Sequence, residues 1–594
     1  MIIRIQSRSG TKRIDVSEQE TTAIVYEKVA KCYGLDVGTF HLMLSRDSGP
    51  ELKSSSRTTL FSQNISNGHM FFLVEFGRAE MEERKEVEIK GNDVIVVEED
   101  EVDVLLSKED GTIKRNRDTQ LCRHGLNAKC VHCLPIEPFD ESYLKSRDPP
   151  IKHLSFHSYV RKITSGVDKG KYAFLESSSG TGKIRGRESQ DEWKEMASTI
   201  TLKRQIYRHV DNILFEHPNI VDRFLNYWRK SGKQRIGYLY GRYEVHRDVP
   251  LGIKAVVSAI YEPPQASTAN SVELLVDEKG EVADKIAAHL KMKKVGWIFT
   301  DLEPRREDRT LVKYKRNGES YFLTAEECIM AGDFQLQHPN ACHLAPSGTF
   351  GSKFVTVIVT GNESGQIHFE GYQVSNQCAN LVQDDYLVPT LDAPELGYIR
   401  ESTSERYIPD VLYKEKEGYK VARPLPIEYL IIDIPAAFPQ DPQPLLPGSS
   451  TEPFVVENRS DVGDVQSFEQ FASCMHKQPR DQFMTTMADF HVLLFLATCE
   501  TIDIIQPLVR HLCEAIYQKD AVAVMQWKES QEWKTVEVLV EHYNLTGRGP
   551  PSAYPIAAIA ENQGAVKGNW ACAACTFINK PQDSNCQMCD SRRS

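Results

Sequence analysis

The last 25 residues read Trp570-Ala-Cys572-Ala-Ala-Cys575-Thr576-Phe577-Ile-Asn579, then six residues, then Cys586-Gln-Met588-Cys589. Two C-x2-C pairs in so short a span leave too little apolar surface for a hydrophobic core. Four thiolates around one tetrahedral zinc can hold such a segment together, and metal binding then supplies the folding energy, about 10–16 kcal/mol for small zinc modules. Cys572, Cys575, Cys586 and Cys589 are the expected ligands. A zinc ribbon that only caps the tail, or two disulfides, are the plainer readings. Disulfides suit poorly a chain with no secretory signal, since the first residues, MIIRIQSRSGTKRID, hold no apolar run.

The motif W-x-C-x2-C-T-F-x-N-x6-C-x2-C resembles the NZF-type zinc finger, a ubiquitin-binding module. The resemblance implies that Thr576, Phe577 and Met588 touch the hydrophobic patch of ubiquitin.

At 594 residues, several domains are expected, at ~100–200 residues each. The net charge of −12 argues against wholesale nucleic-acid binding. No run reaches the ~18–20 apolar residues of a membrane span. Fourteen cysteines form two tight clusters plus seven scattered residues, as expected of a reducing compartment with two zinc sites. The second cluster is Cys122-x-His124-x5-Cys130-x2-Cys133. Three sulfurs and one imidazole suit zinc. His132 lies too close to its neighbouring cysteines to be the first choice. His153 and His157, at i,i+4 spacing, are alternative ligands or helix-packing residues.

Residues 1–78 alternate as strands at 2–5, 12–16, 41–44 and 70–74, with a helix over 22–33. This order resembles a ubiquitin-like fold of the UBX-like kind, which docks on the valosin-containing AAA ATPase. The Phe-Pro-Arg loop of true UBX domains is absent; Gly49-Pro50-Glu51-Leu52 stands there. Residues 79–112 are acidic and read as a solvated linker, with Val94 to Val97 and Val102 to Leu106 as potential short strands. Residues 113–200 form a zinc-finger region. Within it, Gly180-Thr-Gly182-Lys183 looks like a phosphate loop but lacks the leading glycine and the trailing Ser or Thr, because Ser177 and Ile184 occupy those places.

Residues 220–405 place a helix at 219–228, strands at 235–243 and 254–261, a helix at 282–290 and a strand at 294–299. This order resembles an MPN domain. Catalytic members carry His-x-His-Pro after the Val-Gly-Trp segment. Here Phe299 and Asp301 take the histidine places, and a phenyl ring cannot ligate zinc. The domain reads as catalytically dead. Residues 406–545 add a strand over 425–434 and helices at 489–498, 506–517 and 531–543. Residues 546–567 read as a flexible tether to the finger at 568–594.

Multidomain α+β organisation in this order is similar to the nuclear protein localization protein 4 family of animals. Its most specific blocks are the terminal finger, Cys122 to Asp140, Tyr207 to Phe215, Gly237 to Tyr243, Val295 to Leu302 and Phe369 to Cys378. The family has a second internal Cys/His cluster, whereas Lys171 to Ile200 contains neither Cys nor His, so two Zn(2+) per chain are expected. The resemblance implies a non-enzymatic adaptor. It binds polyubiquitin, pairs with the ubiquitin-fusion-degradation partner, and delivers substrates to the ATPase for proteasomal and endoplasmic-reticulum-associated degradation. Cytoplasm and nucleus, with peripheral association at the endoplasmic reticulum, are the expected locations, without membrane insertion. The competing readings are a zinc isopeptidase of the MPN type and an ATPase-independent ubiquitin-reading scaffold.

Overall fold

The computed structural model describes most of residues 1–75, most of 97–165 and 199–546, residue 175, and the pairs 570–571 and 578–579. It divides into two units, residues 1–98 and 99–594.

In the first unit, β1 (Ile2–Ser7) and β2 (Gly10–Asp15) form an antiparallel pair. Helix α1 (Thr22–Tyr33) follows, then β3 (Phe40–Met43) and β4 (Met70–Glu75). The sheet order is β2-β1-β4-β3, with β1 and β4 parallel. Alternation buries Ile3 and Ile5, and the helix adds Val25, Tyr26, Val29 and Ala30 to the same core. The buried Tyr26 hydroxyl donates to the Leu52 carbonyl at 2.7 Å and accepts from the Leu42 amide at 3.0 Å. The order strand, strand, helix, strand, strand expected from the sequence is therefore present.

The second unit starts with α2 (Glu101–Ser107), where short strands were expected over 102–106. The helix wins because it puts Val102 and Leu106 on one face, both buried against Leu251 and Ile253. Next come α3 (Phe156–Thr164), β5 (Asn212–Phe215) and α4 (Pro218–Ser231). His153 lies before α3, so the two histidines do not share a helix. Helix α4 starts with proline at its first position, where the His217 ring accepts from the Asn219 amide at 3.0 Å. It ends at Gly232, whose φ of 67° terminates the helix.

The main sheet continues through β6 (Ile236–His246), β7 (Gly252–Tyr261), helix α5 (Gly280–His289) and β8 (Lys293–Thr300). Then follow α6 (Ala325–Gln337), β9 (Val355–Gly361) and β10 (Ile367–Val374). The last strands are β11 (Ile431–Ile434) and β12 (Ala436–Ala437). Sheet order is β11-β10-β9-β8-β6-β7-β5-β12. Since β11 and β12 are separated only by Pro435, this one segment bonds both edges and draws the sheet toward closure. Gly241 is required at the β6–β7 bulge, where a Cβ would lie 1.8 Å from the Val256 carbonyl oxygen.

The single strand expected over 425–434 is broken by a 3-10 turn at Ile427–Leu430. The turn sends Ile427 and Leu430, three residues apart, into one core while Glu428 pairs with Arg204 outside.

Helices α7 (Phe468–Lys477), α8 (Phe490–Thr498), α9 (Gln506–Tyr517) and α10 (Gln531–Thr546) form the last lobe. Nearly every residue of α8 is buried, and Tyr240 of β6 stacks on Phe490 at 5.3 Å. No helix here is by itself long and apolar enough to cross a membrane, among the described residues.

Buried charges join lobe to sheet. Glu262, at the end of β7, accepts from Arg235 at 2.7 Å and from Arg459 at 2.9 Å. Glu457 accepts from the Glu262 amide at 2.9 Å and meets His491 at 2.6 Å. Asp489 takes Arg223 at 2.7 Å. Removing one partner strands the others in a dry site. Glu262→Gln should therefore cost about 3–5 kcal/mol of unfolding free energy, read from the urea midpoint.

The final described pairing is β13 (Trp570–Ala571) with β14 (Ile578–Asn579), antiparallel.

Candidate metal centre

Residues 113–136 are tied at their base by a bridge between Ile113 and Ile136, with amide bonds of 2.8 and 3.0 Å. Arg115 reaches across and donates to the carbonyls of Leu134 at 2.8 Å and Val131 at 2.5 Å. That clamp fixes the turn carrying Cys130 and Cys133. The Cys133 and Leu134 amides both bond the Cys130 carbonyl, and the Cys130 amide donates to Cys133 Sγ at 3.3 Å.

The side chains of Cys122, His124, Cys130 and Cys133 converge, their ligand atoms all within 4.8 Å of one another. Cys130 Sγ lies 3.6 Å from Cys122 Sγ and 3.9 Å from Cys133 Sγ. His124 Nε2 is 3.1 Å from Cys133 Sγ. A tetrahedral zinc would hold sulfurs about 3.8 Å apart and a sulfur and nitrogen about 3.5 Å apart. The four side chains fit such an ion. The other imidazole nitrogen, His124 Nδ1, donates to the Gly125 carbonyl at 2.8 Å. That bond fixes the tautomer and leaves Nε2 with a lone pair for metal. Burial pushes the Cys130 thiol up, but the His132 amide, the Cys122 thiol and the Cys133 amide outweigh it and bring it down to about 6. A thiolate is thereby available at neutral pH.

The alternative ligands are elsewhere. His157 Nε2 bonds Asp103 at 2.8 Å, and His153 Nδ1 is 3.7 Å from Asp433. The Cys122 cluster is the only group among the described residues whose ligand atoms are placed to hold a metal ion.

Around Phe299 and Asp301 the space is filled by an aromatic ring and by paired protein charges. Phe299 is buried and stacks on Trp297 at 4.8 Å between ring centres. Arg316, buried beneath it, donates to Asp301 at 2.9 Å and to both Glu327 oxygens at 2.7 and 2.6 Å. Lys315 stands 3.4 Å from Asp301. Burial works against the guanidinium charge, but Glu327 and Asp301 outweigh it and hold the proton more tightly than usual. An arginine thus supplies the positive charge. Sequence reasoning found Phe299 and Asp301; it missed Arg316, whose role depends on a fold contact across 15 residues. Phe299→His should leave zinc content unchanged, because Arg316 keeps the carboxylate; metal analysis of the purified variant checks this.

Cys572, Cys575, Cys586, Cys589, Thr576, Phe577 and Met588 lie outside the described residues. The backbone around the first pair is described on both sides. Trp570 pairs with Asn579 and Ala571 with Ile578. Residues 547–569, and 171–198 except Leu175, also lie outside.

Three family models match parts of the chain between residues 1 and 541. "Nuclear pore localisation protein NPL4" matches residues 1–74, "NPL4 family, putative zinc binding region" matches 97–232, and "NPL4 family" matches 235–541. The chain is 48% identical to a mouse (Mus musculus) nuclear protein localization protein 4 homolog, over 100% of this chain and 99% of that protein. The Drosophila melanogaster homolog is 42% identical over 99% of this chain and 94% of its own length. A Schizosaccharomyces pombe nuclear protein localization protein 4 is 36% identical over 76% of this chain and 85% of its own.

Proposed function

The chain belongs to the NPL4 family, and from that premise we propose that it is a ubiquitin-binding adaptor of the valosin-containing AAA ATPase. It recruits polyubiquitinated proteins for unfolding and proteasomal degradation, including endoplasmic-reticulum-associated degradation. It pairs with the ubiquitin-fusion-degradation partner and is not itself an enzyme. The observation that carries this reading is Arg316 seated on Asp301 and Glu327, where a catalytic MPN protein would need a metal. A chain that binds ubiquitin through its terminal finger and seats an arginine on the carboxylates of Asp301 and Glu327 would be a reader rather than a cutter.

Three features support the details. The four-stranded sheet and single helix of the first unit suit a UBX-like domain over 1–78 that docks on the ATPase. The helix and strand order over 218–300 suits an MPN domain over 220–405, followed by a C-terminal domain over 406–545. The finger holds Leu121, Val131 and Leu134 exposed, with Val131 at 81%. Apolar side chains presented by a metal-held loop suit the contact that family fingers make with the top of the ATPase ring. Two zinc ions per chain, one at each Cys cluster, belong to the same reading. The names of the relatives support a nuclear location; a cytoplasmic pool and peripheral association at the endoplasmic reticulum follow from the proposed role.

The test against an isopeptidase is incubation of the purified chain with polyubiquitin and zinc. Chains should remain intact over hours. Chelator-sensitive release of monoubiquitin would overturn the adaptor reading.

A further inference from the structure

Helix α2 and the residues beside it form an acidic strap seated on basic side chains of the second unit. Glu99 meets His343 at 2.6 Å, and Glu109 meets Arg247 at 2.8 Å. Asp100 pairs with Lys293 and Lys353, and Asp103 with Lys353 and with His157 at 2.8 Å. Lys353 and Asp103 are both nearly fully buried. Both lysines also lie over the Tyr243 ring, at 5.1 and 5.0 Å. Burial pushes the Asp103 carboxyl up, but His157 and Lys353 outweigh it and hold it below its ordinary value. Every acidic partner comes from the strap and every basic partner from the body.

The apolar contribution is small. Only Val102 and Leu106 are buried, against Leu251 and Ile253. A cavity of about 270 Å³ opens along the strap, lined by Leu106, Phe156, Val160, Leu251 and Leu344. The helix has seven residues and no side-chain cap, because Asp100 spends its carboxylate on the lysines. A helix this short is unstable alone and holds its form only while seated. Two apolar anchors, an acidic face and a basic-rimmed seat make up the helix-in-groove mode of peptide recognition.

We propose that the seat beneath α2 is a docking groove for acidic amphipathic segments, occupied in cis by residues 99–109 and open to the same chemistry supplied in trans by a partner. A competing segment needs two apolar residues four apart and carboxylates on the flank facing Lys293 and Lys353. The strap is then an autoinhibitory occupant, and its hold weakens with salt, since the rim pairs Glu109–Arg247 and Glu99–His343 are partly exposed.

The experiment weakens the strap and leaves the groove intact. In Asp100→Asn with Asp103→Asn, amide exchange at residues 101–107 should accelerate at least tenfold while 252–261 keep their protection. A fluorescent peptide of sequence 97–110 should bind this variant at least tenfold tighter than the unaltered chain, and adding Lys293→Ala should weaken it again. Unchanged exchange, or an opened groove that binds no peptide, would overturn the proposal. A second measurement needs no variant: exchange at 101–107 in the unaltered chain should rise between 0.1 and 1 M salt, and a flat response would also count against it. A concentration-dependent dimer formed by strap exchange would make a second copy the occupant and contradict a separate partner.

Discussion

Chelating the metal should unfold residues 113–136 while the sheet and the helical lobe keep their amide protection. Apart from Cys122 and Cys133, this stretch contributes no buried apolar side chain among its described residues; Leu121, Val131 and Leu134 face solvent. A few hydrogen bonds, such as those of the Ile113–Ile136 bridge and the Arg115 side-chain clamp, contribute roughly 1 kcal/mol each. That does not match the about 1–2 kcal/mol per residue needed to order the backbone. A bound zinc ion would supply the difference, on the order of 10–16 kcal/mol. Cys130→Ser should reproduce the effect without chelator and lower zinc by one ion per chain. Metal analysis of the unaltered chain should give two zinc ions. Three would mean that scattered cysteines or histidines rebuild a site, and the account of Lys171 to Ile200 would have to be withdrawn.

Thr576→Ala with Phe577→Ala should abolish measurable ubiquitin binding while zinc content stays the same. The proposed contact of the finger is small, so a single ubiquitin should bind weakly, at about 10–100 μM. Removing one aromatic anchor and its neighbour from so small a surface leaves too little to detect. Polyubiquitin should bind the unaltered chain more tightly by avidity. Persistent binding of the double variant would move the ubiquitin site into the body.

Long elements with strong periodicity were legible in the sequence. Helix α1 spans 22–33 as expected, and β6, β7, β8, α8 and α9 fall within a few residues of their expected bounds. The convergence of Cys122, His124, Cys130 and Cys133 was legible because their spacing is local. The strap was not. Val102 to Leu106 alternates too briefly to separate strand from helix, and only the apolar patch at Leu251 and Ile253 decides. The break at Ile427 was equally hidden, because Leu425, Ile427 and Leu430 enter one core while Ile434, in the same apolar run, enters another. Lys353 and Arg316 stay silent in sequence because their partners lie on other elements. The near-closure of the sheet rests on Pro435, whose carbonyl accepts from Ile213 at 2.9 Å across more than 200 residues.

The central claim is that one chain links polyubiquitin to the ATPase without cutting it. The direct measurement is recovery of polyubiquitin on immobilised valosin-containing ATPase, with the unaltered chain and with a chain lacking residues 1–78. The account predicts recovery of intact polyubiquitin with the first. With the second it predicts no recovery on the ATPase, while ubiquitin binding in solution is retained. Equal recovery with both chains, or none with either, would contradict it.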